Sequence, residues 1–138
     1  NKEKLVITLP EIILLPRTSA IVEPGKTYVP QNPNFPSGDA FCVIEDWQDR
    51  KKYILVVLQV TIGATHPIKQ AGLTMILKMY SDDVQSRLSR KYLAFVTNSA
   101  SELNSVQPII AENGKVLKHP TEFRQIVYRH WETEETGN

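Results

Sequence analysis

Ten consecutive residues, Tyr53-Ile54-Leu55-Val56-Val57-Leu58-Gln59-Val60-Thr61-Ile62, carry few polar side chains and do not alternate apolar with polar. A run this short and this rich in β-branched residues reads as a strand, and the lack of alternation means that both its faces must be covered. Gln59 interrupts it late. A shorter apolar run, Ala40–Ile44, precedes it across the polar segment Glu45–Lys52, which predicts two antiparallel neighbours joined by a hairpin loop.

Downstream, Pro67 is placed to open a helix over Pro67–Tyr80, with Ile68, Ala71 or Gly72, Met75, Ile76 and Met79 along one face. A second, short helix is predicted over Asp82–Ser89, with Ser81 or Asp82 as its N-cap, before Lys91–Thr97 returns as a strand. Strand, helix and strand in that order make an α/β chain with a crossover connection. The expected core is Leu55, Val57, Met75, Ile76, Phe95 and Val96. Residues Asn98–His119 read as a long excursion with little regular structure, Gln125–Trp131 as a closing strand, although Phe123, Ile126, Val127 and His130 would also suit one face of a helix, and the acidic stretch 132–138 as a frayed tail. Upstream, Leu5–Thr8 and Ile12–Leu15 are short extended runs stopped by Pro10 and Pro16, and Glu23–Lys26 is a turn leading into Tyr28-Val29-Pro30. The loop 31–39 then gathers nearly every turn-favouring residue type around Phe35.

A chain of 138 residues, 41% hydrophobic and 22% charged, suits one globular domain over 1–138 that needs no metal or disulfide to fold. Its single cysteine, Cys42, lies in the apolar run 40–44, where a buried small hydrophobe is the plainer reading and a nucleophile the sharper one. Sixteen Lys and Arg against 15 Asp and Glu leave a net charge of +1, so any polyanion site has to be local. No apolar stretch approaches the roughly 18 residues of a membrane span, and Asn1-Lys2-Glu3-Lys4 lacks the pattern of a signal peptide. From these two absences an intracellular chain with no membrane partner is expected, and the missing initiator methionine suggests a processed product or a fragment, the C-terminal part, of a longer protein.

Three histidines, His66, His119 and His130, are too widely spaced to give a metal-ligand signature, and no glycine-rich phosphate loop, CxxC pair or HExxH motif is present. The strand pairing nevertheless gathers a polar cluster. Asp39 stands at the mouth of the first strand, Gln59 and Thr61 take alternate positions near the end of the second, and His66 with Lys69 opens the following helix. A helix N-terminus arriving there would favour anions. The same residues also admit a plain reading in which Asp39 caps the turn, Gln59 satisfies a buried backbone group and Thr61 is a β former.

The stretches Tyr28-Val29-Pro30-Gln31-Asn32-Pro33-Asn34-Phe35-Pro36-Ser37-Gly38-Asp39, Leu58-Gln59-Val60-Thr61-Ile62 and Thr65-His66-Pro67-Ile68-Lys69 carry the pattern YxPxxxNFxxxD…QxT(V/I)xxxHxI. In this the chain, from about Leu5 through Val127, resembles the C-terminal domains of Crinkler-type effectors and retrotransposon hot spot proteins, of the restriction-endonuclease-like PD-(D/E)xK group. The resemblance implies a mixed central sheet flanked by helices, whose adjacent strands bear an acid and an acid-x-lysine pair that bind Mg²⁺ or Mn²⁺ and activate water against a phosphodiester. Asp39 matches the first acid, Gln59 takes the place of the second and Thr61 that of the lysine, a QxT where the wider group has ExK. His66 and Lys69 are then the replacements for the base and the cation, and Asp39 and Gln59 the metal ligands, holding the ion weakly without substrate. The function so implied is metal-dependent hydrolysis of nucleic acid, DNA in preference to RNA, by an effector or mobile-element-associated protein that reaches a host nucleus. The alternative is an inactive nuclease fold kept as a binding module for nucleic acid or protein. A purely structural or homo-oligomerising domain is the third reading.

Overall fold

The computed structural model describes residues 6–15, 21–31, 38–61, 65, 67–98, 103, 106–117 and 122–130. The apolar run at the heart of the sequence lies in β4 (Asp49–Val60), and β3 (Ala40–Asp46) pairs with it antiparallel, Phe41 opposite Val57 and Val43 opposite Leu55, as the two apolar runs predicted. The connection differs from expectation. Residues 45–52 are not a loop: the ladder continues through them to a turn at Trp47 and Gln48, where Asp46 Oδ1 accepts from Gln48 N at 2.9 Å. Charged side chains do not stop a ladder when they stand over water, and the local Asp46 bond supplies the turn.

β2 (Thr27–Pro30) adds antiparallel to β3, and β1 (Ile12–Leu15) adds parallel to β2. On the other side β6 (Leu88–Asn98) runs parallel to β4, and β8 (Phe123–His130) parallel to β6, so the mixed six-stranded sheet has the order β1-β2-β3-β4-β6-β8. The expected early run 5–8 forms no strand over its described residues, although Ile7 packs beneath the sheet. The proposed loop anchor Phe35, His66, His119 and the tail 132–138 lie outside the described residues.

Between β4 and β6 come α1 (Gln70–Met79) and α2 (Asp82–Ser86). Pro67 does not open α1. Ile68 and Lys69 form β5 instead, which pairs parallel with β7 (Ile109–Ile110), and Ile68 N donates to Pro108 O at 2.9 Å. A partner forty residues away thus takes the extended backbone that local signals assigned to the helix. β7 also puts regular structure into the 98–119 excursion, together with a bridge between Ile110 and Val116. α2 is capped as predicted, Ser81 Oγ accepting from Val84 N at 3.2 Å, but ends at Ser86 because Leu88–Arg90 already belong to β6.

The core forms on both faces of β4. One face joins Phe41, Val43, Leu55, Val57, Leu93 and Phe95 to Leu73, Ile76 and Tyr80 from the α1 side, and the other gathers Cys42, Ile54, Val56, Tyr92 and Ala94 with Ile7, Ile44, Leu58 and Ile126. Two core assignments need correction. Met75 is 37% exposed, because the buried face of α1 is Gly72, Leu73 and Ile76, one step round from the predicted face. Val96 is half-buried, lying on the second face near the strand end. Cys42 is fully buried and burial pushes its thiol up to about 11, so it serves as a small hydrophobe.

Candidate functional site

Because β4, β6 and β8 are parallel, their carboxyl ends share one edge of the sheet, the edge at which β3 begins. In open α/β sheets such edges are where ligands bind. Gly38 delivers the chain to this edge in a left-handed conformation, φ +84°, and a Cβ there would stand 2.7 Å from Val57 Cγ1. Only glycine meets both conditions. Its geometry brings Asp39 level with Gln59: Asp39 N donates to Leu58 O at 2.7 Å, and Gln59 Nε2 donates to Asp39 Oδ2 at 3.0 Å. Asp39 Oδ2 also accepts from Val60 N at 2.6 Å. Gln59 Oε1 accepts from Gly38 N at 3.1 Å, while Nε2 lies 3.3 Å from Val60 O.

The orientation of this amide is dictated by its neighbours. Turning it over would set an NH₂ against the Gly38 N–H and a carbonyl oxygen against the Asp39 carboxylate, trading two attractions for two repulsions. Gln59 therefore does what the plain reading of the sequence assigned to it, satisfying a backbone group, and at the same time it holds Asp39.

Side chains two apart on a strand share a face, so Gln59 and Thr61 extend the line of Leu55 and Val57. Thr61 N donates to Val96 O at 2.9 Å, which brings Thr61 level with Thr97, and Thr97 in turn pairs with Arg129 of β8. A polar row, Thr61, Thr97 and Arg129, thus lies just beyond the Asp39–Gln59 pair. Thr61 is 8% and Thr97 3% exposed, and Thr97 Oγ1 is buried with no hydrogen-bond partner among the described residues. Arg129 Nη2 donates to Leu103 O at 2.7 Å, and the Gln125 amide both accepts from Gln107 N (2.6 Å) and donates to Gln107 O (2.9 Å). These bonds tie Leu103 and Gln107 to β8.

Of the five residues singled out from the sequence, the structure brings Asp39 and Gln59 into contact and sets Thr61 next along the same face. Lys69 is exposed in β5, paired with Ile110, and is not among the partners of Asp39. His66 lies outside the described residues. Thr97 and Arg129 were not singled out, although aligning the ends of the predicted parallel strands would have found Thr97 as the first polar residue after Tyr92–Val96.

The donor set does not suit a resident Mg²⁺ or Mn²⁺. Such an ion wants several oxygen ligands, carboxylates foremost. Among the described residues Asp39 is the only carboxylate here, one of its oxygens already takes two hydrogen bonds, and the Gln59 carbonyl oxygen is committed to Gly38. Among the described residues no group of three or more His, Cys, Asp and Glu side chains comes together.

The other end of the sheet holds a separate polar cluster. Asp46, 4% exposed, accepts from Ser89 Oγ at 2.6 Å and from Arg90 Nη2 at 2.7 Å, and Arg90 lies 4.5 Å over the Trp47 ring. The Ser89 hydroxyl first, then the Gln48 N–H and Arg90, hold the Asp46 carboxyl below its usual range. With its oxygens so engaged, Asp46 ties β3 to β6 and stands apart from the Asp39 edge. A shallow depression of about 440 Å³, lined by Gln70, Thr74, Ala111, Glu112 and Asn113, likewise shares no residue with that edge. No helix among the described residues is long and apolar enough to cross a membrane.

Comparison of the chain with family models, with curated proteins and with solved structures finds no match.

Proposed function

We propose that the domain binds nucleic acid, DNA in preference to RNA, at the carboxyl edge of β4 and β6, and that it does so without hydrolysing it. The observation that carries this reading is the closed Gly38–Asp39–Gln59–Val60 hydrogen-bond ring, which stands where the resembled endonuclease-like domains have paired acids. An acid and its neighbour remain on adjacent strands, the arrangement the resemblance implies, but the neighbour is an amide turned inward. The exposed Lys69 and the Arg129 of the polar row are side chains of the kinds that meet phosphate oxygens. The setting that goes with this reading is a Crinkler-like effector or mobile-element-associated protein acting in a nucleus.

The test is one set of incubations of the purified domain with single- and double-stranded DNA and RNA, with Mg²⁺, Mn²⁺ or chelator, read both for cleavage and for binding by fluorescence anisotropy. The expected result is salt-dependent binding with chelator present and intact nucleic acid throughout. Cleavage that requires the metal and disappears in Asp39→Ala would replace this reading with metal-dependent phosphodiester hydrolysis. Absence of any binding would leave a structural domain.

A further inference from the structure

The Gln59 amide satisfies three groups at once: the Gly38 N–H, Asp39 Oδ2 and, at longer range, the Val60 carbonyl. Each alternative side chain at this position fails in a specific way. A leucine leaves the Gly38 N–H without its partner at a part-buried strand end, and Asp39 Oδ2 with Val60 N as its one remaining donor among the described residues. A glutamate still accepts from Gly38 but sets a second carboxylate oxygen where Gln59 Nε2 now lies, 3.0 Å from Asp39 Oδ2. That spacing has a chemical meaning. Two oxygens in adjacent octahedral positions around a Mg²⁺ at 2.0–2.1 Å are about 2.9 Å apart, so the pair that repels when bare is spaced to share one divalent cation.

We infer that Gln59 is a positioning residue that substitutes for a divalent cation, its amide N–H bridging Asp39 to the end of β4, and that the edge is therefore preformed in the absence of metal. Part of the mismatch between this donor set and a metal site then lies in the amide nitrogen at position 59. An oxygen placed there gives one cation two carboxylate ligands, with water to fill the rest of its shell. The backbone leaves the geometry of the pair unchanged, because the Gly38 turn, the Asp39 N bond to Leu58 O and the β3–β4 register hold the two Cα positions whatever side chain stands at 59.

The inference deepens the proposed reading by making binding at this edge independent of divalent ions, but its test needs no nucleic acid, so the two can fail separately. Thermal melts of wild type, Gln59→Glu and Gln59→Leu are recorded in excess EDTA and across a Mn²⁺ titration, with bound Mn²⁺ counted by electron paramagnetic resonance. Wild type should melt at the same temperature in EDTA and in Mn²⁺ and bind no ion. Gln59→Glu should melt lower than wild type in EDTA and rise by about 4 °C or more at saturating Mn²⁺, with close to one ion bound per chain. Gln59→Leu should melt lower than wild type and not respond to the ion. Should Gln59→Glu fail to fold in EDTA, circular dichroism must show it folding as Mn²⁺ is added. A saturable Mn²⁺ shift in wild type that Asp39→Asn removes would overturn the inference, and so would a Gln59→Glu variant that Mn²⁺ neither stabilises nor folds.

Discussion

At the scale of single residues, the site is a set of polar groups each judged by whether it has a partner. Thr97 Oγ1 has none among the described residues, although the residue is 3% exposed. A buried hydroxyl without a partner costs about 1–3 kcal/mol, so Thr97→Val, which keeps the shape and removes the polar atom, should raise stability by up to ~1 kcal/mol in urea melts. A loss of more than roughly 0.5 kcal/mol would mean that the hydroxyl is satisfied by solvent. Asp46 is the opposite case. Its carboxyl titrates below the ordinary value of 3.8, so its stabilisation is fully present above that value and is lost as pH falls through the depressed one. Trp47 lies under Arg90, the ion-pair partner of Asp46, and so reports on it directly. In acid titrations followed by tryptophan fluorescence, Asp46→Asn should be less stable than wild type at neutral pH and should lose less stability over the acid limb. An unchanged acid limb would show that Asp46 does not govern it. Asp39 was legible in the sequence because it follows Gly38 at the mouth of a predicted strand, and Gln59 because it is the late polar interruption of a long apolar run. The hold of Gln59 on the Gly38 N–H was legible only as a possibility among others, because which end of an amide faces which neighbour depends on three backbone positions that a sequence does not place.

At the scale of elements, what could be read was whatever depended on near neighbours. The β3–β4 pairing followed from two apolar runs close in sequence, and the Ser81 cap from a local hydroxyl before Asp82. The start of α1 could not be read this way. Pro67 is a sound local start signal, yet Ile68 and Lys69 are drawn into β5 by β7, whose residues come some forty positions later. The same displacement moved the buried face from Met75 to Leu73, since a helix anchored by β5 turns a different stripe toward Val57 and Phe41. The consequence can be measured by a pair of truncations. Ile76, fully buried in the main core cluster, should cost about 2–5 kcal/mol when changed to alanine, and Met75, 37% exposed, under roughly 1 kcal/mol. Equal costs in denaturant melts would mean that α1 presents both residues to the sheet.

At the scale of the whole molecule, the mixed sheet was accessible because one strand had to be covered on both faces, while the Thr61–Thr97–Arg129 row was not, because it needs the β6–β8 register that the poorly patterned 98–122 region conceals. The overall charge constrains what such an edge can do. With a net charge of +1 the molecule has no long-range field to gather a polyanion, so binding rests on the few cations that can reach one edge. Each phosphate neutralised on duplex DNA steepens the dependence of log K on log salt by about 0.9. Two or three contacts from side chains such as Lys69 and Arg129 then give a slope of roughly −2 to −3. Lys69→Ala should reduce that slope by about 1 and weaken binding to all sequences alike, since a phosphate contact carries no base information. Asp39→Ala should act the other way at low salt, because it removes a negative charge from the edge the phosphates approach. A wild-type slope steeper than about −5 would require more cations than this edge presents, and would move the nucleic-acid surface elsewhere, for instance toward the Arg50-Lys51-Lys52 stretch of β4.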